Sequence, residues 1–282
     1  MEDSANPGLR GLHDPVVIVA FGGWNDAGTA ASSTVEHLSE CYDAELAFAI
    51  DPDDFYDFQV NRPQVSTSDS DERVIAWPTT EIRVGRLPSG RDLVLISGLE
   101  PNLRWRQFSA LISSALKSSG ASRVFMLGAL LADTPHTRPI PVSVTTTDAS
   151  LAEEFSLPQS TYEGPTGIVG VLGEALSGGG MRVLTLWAAI PHYVSHPPCP
   201  KATLALLSQL EELLDSPLAL GDLPELARAW ERGVDELAAE DTEVAEYVTS
   251  LEQQQDATEL PEASGDAIAA EFERYLRRRS DG

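Results

Sequence analysis

Four short segments of this chain carry the side chains with the greatest chemical reach. They are Gly22-Gly23-Trp24-Asn25-Asp26, Pro135-His136-Thr137-Arg138-Pro139, Tyr162-Glu163-Gly164-Pro165-Thr166-Gly167 and Pro191-His192-Tyr193-Val194-Ser195-His196. The second sets an imidazole, a hydroxyl and a guanidinium on a proline-stiffened loop. Arg138 there is suited to hold a carboxylate or phosphate through two parallel bonds, with His136 giving or taking a proton. The alternative is that Arg138 satisfies loop carbonyls or an acid of the chain itself. Glu163 is a candidate base, or the partner of a nearby arginine. His192 directly follows an apolar run and is well placed to line a cleft beside Tyr193.

Other arrangements fall away on inspection. The Gly-Gly-Trp-Asn-Asp-Ala-Gly turn lacks both the G-x-G-x-x-G spacing and the terminal Lys-Ser/Thr of a phosphate-binding loop. Asp26 would itself occupy the anion seat at the start of the next helix. His192 and His196 have the spacing of a helical zinc pair but lack the intervening glutamate, and Pro197 and Pro198 push His196 out of helical conformation. Asp51 to Phe58 concentrates carboxylates, yet interleaved Phe55, Tyr56 and Phe58 suit packing better than a metal. Ser114-x-x-Lys117 lies inside an amphipathic helix, and no G-x-S-x-G nucleophile turn exists. The expectation is a chain with no metal and no cofactor.

The elements that must position these loops are legible as apolar runs at 16–21, 45–50, 93–97, 123–128 and 182–190. Residues 27–40, 103–119 and 168–177 carry helical periodicity between them, and Ser150-x-x-Glu153 reads as a capping box. Val16 to Phe21 reads as a strand buried on both faces, turning at Gly22 and Gly23 into a helix capped by Asn25 or Asp26. Alternation of this kind predicts a central sheet with helices on both faces, and ligands in such folds sit at the strands' carboxyl ends. The four loops are therefore expected to meet at one rim. Gly178 to Gly180 reads as a helix-to-strand turn.

After about residue 201 the pattern becomes helical, over 203–214, 222–238, 241–254 and 265–279. Between 211 and 263 stand 16 acidic residues against Arg228 and Arg232, a net −14 of the chain's −25. Leu223, Leu226, Trp230, Val234 and Leu237 recur at helical spacing, so one face packs and the other meets water. The expected organisation is a flexible residues 1–14, an α/β/α core over 15–210, and an acidic helical extension over 211–282 packed on or beside it.

Composition narrows the class. A chain of 282 residues with 42% hydrophobic content is large enough for one big core. Its acidity repels phosphate backbones and anionic lipid, which argues against nucleic-acid and membrane partners. Two cysteines, Cys41 and Cys199, cannot build a disulfide framework. With no apolar leader and no run of about 18 apolar residues, a soluble cytoplasmic protein is expected.

Several motifs together resemble one family. Phe21-Gly-Gly-Trp-Asn-Asp-Ala-Gly28, Phe55-Tyr-Asp-Phe58 with Arg62-Pro63, Glu100-Pro101 with Trp105-Arg106, Pro135-His-Thr-Arg-Pro139, Tyr162-Glu-Gly-Pro-Thr-Gly167, and Pro191-His-Tyr193 with Pro198 and Pro200-Lys-Ala202 follow in order over about residues 16–210. They resemble the proteasome assembly chaperone 2 family in its actinobacterial branch. The resemblance implies a three-layer α/β/α sandwich akin to nucleoside phosphorylases and related hydrolases. It also implies self-association, with a trimer among the expected states, and a proteasome-related or other protein partner. The reading that follows is a non-catalytic interaction or assembly factor. The alternative is a binder or hydrolase/phosphorylase-like enzyme for a small polar metabolite, working in the cleft at the strand ends.

Overall fold

A computed structural model of the chain describes residues 9–67, 71–157, 162–194 and 196–259. Its centre is a seven-stranded mixed sheet. The strands are β1 (Val16–Gly22), β2 (Glu45–Ile50), β5 (Thr80–Arg86), β6 (Asp92–Leu99), β7 (Arg123–Ala132), β8 (Val142–Thr145) and β9 (Arg182–Pro191), in the order β2-β5-β6-β1-β7-β9-β8. The inner four, β6, β1, β7 and β9, run parallel, and β2, β5 and β8 add antiparallel edges. A separate hairpin, β3 (Gln64–Thr67) and β4 (Arg73–Ala76), stands outside this sheet.

β1 shows why the chain layers as it does. Val16, Ile18 and Ala20 point to one face, Val17, Val19 and Phe21 to the other, and all six are at most 1% exposed. Successive side chains of a strand alternate, so a strand apolar at every position must be covered on both sides. On the first face lie α1 (Ala30–Cys41), α5 (Pro200–Leu214) and the short α3 (Ala149–Glu154). On the second lie α2 (Trp105–Ser119) and α4 (Ile168–Gly178), with Phe21, Phe55 and Phe108 meeting edge to face. The three-layer sandwich is thus present. Two further helices, α6 (Leu223–Glu240) and α7 (Thr242–Glu259), extend it: α6 packs on α5, and α7 packs on α6. The helix read over 265–279 lies outside the described residues.

Some local readings need correction. Asp148, not Ser150, caps α3, its carboxylate accepting the amides of Ser150 at 2.8 Å and Leu151 at 3.1 Å. Residues 27–29 form a 3-10 turn before α1 rather than its first turn. Leu9, within the stretch expected to be flexible, is fully buried, and the His13 amide donates to Asp92 at 2.6 Å. Glycines 178–180 do make the helix-to-strand turn between α4 and β9.

Candidate functional site

The four parallel strands end on one edge of the sheet, and the four chemistry-bearing loops lie along it. Ala129 on β7 donates its amide to Asn25 O at 2.8 Å, and Cys199 at the start of α5 donates to Gly28 O at 2.9 Å. The first loop is thereby tied to the elements that carry the others. The rim nevertheless divides into two halves with different construction.

The first half is closed by the core alone. Gly23, at φ +119°, turns the chain so that Asn25 and Asp26 enter the interior, 1% and 6% exposed, while Trp24 stays 67% exposed. Asp26 Oδ1 reaches across the 3-10 turn to accept from the amides of Ala31 at 2.7 Å and Ser32 at 3.3 Å, and Oδ2 accepts from Ser32 Oγ at 2.5 Å. It caps α1 from outside the helix. Burial pushes its carboxyl above the usual carboxylate range, and these hydrogen bonds offset part of that rise. Asn25 Nδ2 donates to Glu100 Oε1 at 2.8 Å, and the same oxygen accepts the first amide of α4, Ile168, at 2.8 Å. A carboxylate of the chain therefore sits where a helix N-terminus would hold an anion. Gly167 is required for this contact: a Cβ there would lie 2.3 Å from the Asn25 amide nitrogen. Asn25 Oδ1 is left buried without a hydrogen-bond partner.

The second half is closed by the C-terminal helices. β7 and β9 pair on to Ala132 and Pro191, past the end of β1's pairing with β7 at Leu127, and so carry their loops outward. His136 is 1% exposed. Tyr193 Oη accepts the His136 amide at 2.7 Å and lies 2.7 Å from His136 Nδ1, while His136 Nε2 lies 3.0 Å from Asp235 Oδ1 of α6. The network assigns the protons: Nε2–H faces the carboxylate, and Nδ1 accepts the tyrosine hydroxyl. Burial holds the Tyr193 phenol up at about 12, so it keeps that proton.

Arg138 does not wait for a ligand. Its Nε and Nη2 grip Asp256 of α7 at 2.8 and 2.9 Å, and Nη1 reaches Glu252 at 3.2 Å. Thr137 Oγ1 donates to the same Glu252. Lys201 Nζ donates to His136 O at 2.5 Å and to Glu231 of α6. Asp133 takes the Tyr247 hydroxyl at 3.1 Å and pairs with His192 at 3.2 Å. His192, Tyr193 and Tyr247 stack edge to face.

The sequence-derived site residues thus separate. Gly22 to Asp26 meet Glu100 and the Gly167 turn; His136, Thr137, Arg138, His192 and Tyr193 meet the acidic helices. Glu163 and Gly164 are exposed in the Tyr162 loop, which folds on itself through Tyr162 Oη donating to Pro165 O at 2.7 Å. Glu163 makes no bond to His136 or Arg138. Residues 192–194 form a turn, so the two histidines of that segment share no helical face. Among the described residues no group of three metal-ligating side chains occurs, and no helix is long and apolar enough to cross a membrane. Glu100 and Lys201 carried a signal in the motifs but no assigned role; Glu231, Asp235, Glu252 and Asp256 had none beyond their helix's acidity.

The fold and rim define an α/β/α protein whose ring of strand-end loops is engaged by the chain's own side chains. Comparison with known proteins gives the family. The PAC2 family model matches residues 20–238, and the chain belongs to that family. It is 54% identical to a PAC2 family protein from Streptomyces avermitilis of known crystal structure, covering 83% of this chain and 100% of that one with a TM-score of 0.80. It is 50% identical to a Mycobacterium tuberculosis proteasome-assembly chaperone homologue, covering 83% and 99% of the two chains with a TM-score of 0.76. Pyrococcus furiosus PbaB, an archaeal proteasome activator, shares the fold at 17% identity and a TM-score of 0.63, over 80% of this chain and 94% of that one. No curated protein matches the chain. The resemblance read from the motifs therefore holds.

Proposed function

We propose that this chain is a non-catalytic protein-binding factor in proteasome assembly, working through its surface and not through a reactive cleft. The observation that carries this reading is the internal commitment of the rim. His136, Arg138 and Lys201, the side chains best suited to acid–base or anion chemistry, are bonded to Asp235, Glu252, Asp256 and Glu231. The proteasome-assembly chaperone homologue at 50% identity supports the same direction. So does exposed apolar surface on the β3–β4 hairpin and the segment after it, where Val65, Val74, Ile75 and Trp77 are 45–55% exposed. An isolated two-stranded hairpin is marginal in water, and a partner would cover it.

The reading includes a core of residues 15–210, an acidic extension of 211–282, and self-association in the cytoplasm. The test is to add the full chain to separately purified proteasome subunits of an actinobacterium and follow assembly by native mass spectrometry. A complex with one subunit type, and faster appearance of assembled particles, is expected. Unchanged assembly with no complex would overturn the proposal.

A second reading has one observation in its favour. Asn25 Oδ1 is buried and unpartnered beside Glu100 and the start of α4, which suits a small ligand carrying a hydrogen-bond donor. A thermal-shift screen of nucleosides and sugars tests it: a rise in Tm that Asn25→Ala abolishes would favour this reading over assembly.

A further inference from the structure

The seat beneath α7 has the properties of a recognition groove. It is made by Thr134, Thr137 and Arg138 on the loop after β7, all within the residues that match the family model, whereas α7 begins at Thr242, beyond the end of that match at 238. What occupies it is specific. Glu252 and Asp256 stand one helical turn apart and are both taken by Arg138, which forks onto Asp256 with two parallel bonds; Thr137 adds a second contact to Glu252. Thr134 Oγ1 donates to Gln255 Oε1 at 3.4 Å, and Val248 and Leu251 bury the apolar edge of the helix at 7% and 3% exposure. An amphipathic helix laid in a groove by apolar anchors and flanking charges is a recurring mode of peptide recognition.

The occupant is also held in a way that lets it leave. α7 joins α6 through the single residue Asp241, whose backbone is extended. Its ion pairs are solvent-facing, with the Arg138, Glu252 and Asp256 side chains 31%, 26% and 49% exposed. Such pairs are screened by salt and contribute little individually.

The geometry points to an autoinhibited docking site: the loop Thr134–Arg138 binds acidic helices with two carboxylates four residues apart, and α7 fills it in cis until a partner's acidic helix replaces it. This inference stands apart from the proteasome reading, since it concerns what the groove recognises and not which assembly the protein serves. A site closed by its own chain binds a second ligand with an affinity reduced by the fraction of time it is open. Removing the two α7 carboxylates therefore raises the fraction of time the groove is open without altering its own residues, while Val248 and Leu251 still favour the seated helix.

The experiment uses the full chain and a fluorescein-labelled peptide of its own residues 242–259, read by fluorescence anisotropy at low salt. Glu252→Gln with Asp256→Asn, isosteric changes at partly exposed positions, should raise the affinity for the peptide by about two- to fivefold over wild type, the factor by which loss of the same contacts opens the groove. Adding Arg138→Ala to that variant should remove the gain, as should a peptide carrying the same Gln and Asn. Circular dichroism confirms that each variant is folded; should the double variant unfold, wild-type chain at rising peptide concentration gives the second reading, through faster hydrogen exchange of its own α7 amides. Equal affinities for wild type and double variant, a gain that survives Arg138→Ala, or α7 exchange indifferent to peptide would each overturn the inference.

Discussion

The two halves of the rim meet the same need by different routes. Around Asn25 the loop ends are satisfied by groups of the core itself: Asp26 caps α1, and Glu100 holds both Asn25 and the start of α4. Around His136 the satisfying groups come from helices about 100 residues further along, with His136 meeting Asp235 and Arg138 meeting Asp256 at separations of 99 and 118 residues. The first half has its polar groups, Asn25 and Asp26, buried within the core at 1% and 6% exposure. The second is a polar seam, open to solvent along Arg138, Glu252 and Asp256. Packed contacts fail when volume is wrong, whereas a polar seam yields to charge and salt.

The largest expected effect lies in the packed half. Gly167→Ala puts a methyl 2.3–2.4 Å from both heteroatoms of the buried Asn25 amide. Overpacking of this kind costs about 1–3 kcal/mol, and urea unfolding should show it. A wild-type midpoint would mean that the Asn25–Glu100–Ile168 unit is looser than its geometry implies.

Next comes His136→Leu, which keeps the buried volume but loses the bonds to Tyr193 and Asp235. A loss of about 1–2 kcal/mol follows from the removed hydrogen bonds. Hydrogen exchange should locate the loosening in α6 and α7 and spare α1. Loosening of α1 instead would dissolve the distinction between the halves.

Acidity should separate them in sign. Burial raises the Asp26 carboxyl. A group raised on folding stabilises the fold while protonated, and that contribution is lost as pH climbs through its folded value. The hydrogen bond from Arg138, followed by the charge of the same guanidinium, lowers the Asp256 carboxyl. Its contribution is present above the ordinary carboxylate range and is lost as pH falls through the lowered folded value. Relative to wild type, Asp26→Asn should therefore gain stability as pH rises from strongly acid to neutral, and Asp256→Asn should lose it. Matched unfolding curves across that span decide the point; slopes of the same sign would show that the two carboxylates share one kind of environment.

The smallest effect belongs to Arg138→Ala. The pair is partly exposed, so global stability should barely move while α7 amides exchange about two- to fivefold faster at low salt. Exchange unchanged by salt or by the substitution would place the hold on α7 in Val248 and Leu251 alone.

How much of this was legible in the sequence follows the same division. The runs at 16–21, 93–97, 123–128 and 182–190 announced the parallel strands because burial on both faces leaves a continuous apolar signature. The strand Thr-Glu-Ile-Arg-Val-Gly-Arg of β5, and β3, β4 and β8, gave no such signal. β3, β5 and β8 are hairpin, antiparallel or edge strands in which half or more of the residues are polar, and β4, Arg-Val-Ile-Ala, is too short a run to stand out although it is mostly apolar. Asp26 could be singled out as a cap because its work is local, within a turn and the helix it feeds, whereas the Asn25 side chain, also offered as a cap, reaches Glu100, 75 residues away. Arg138 could be singled out, but not its partners. An acidic helix face that is solvated and one that grips a guanidinium have the same composition, so nothing in 252–256 distinguished Glu252 and Asp256 from the other carboxylates of that extension. Cap chemistry misled at Ser150 because the helix begins earlier, at Ala149, where Asp148 takes the amides of Ser150 and Leu151 and leaves Ser150 inside the first turn.

The central claim is that α7 is held on the rim by the Arg138–Asp256 contact, so that the rim's most reactive-looking cation is engaged within the chain. A double-mutant cycle read by hydrogen exchange of the α7 amides at low salt measures that contact directly. If the contact exists in solution, Arg138→Ala and Asp256→Ala will each accelerate α7 exchange, and the combined variant will exchange no faster than the faster of the two. Additive acceleration, or no acceleration by either, would contradict the claim.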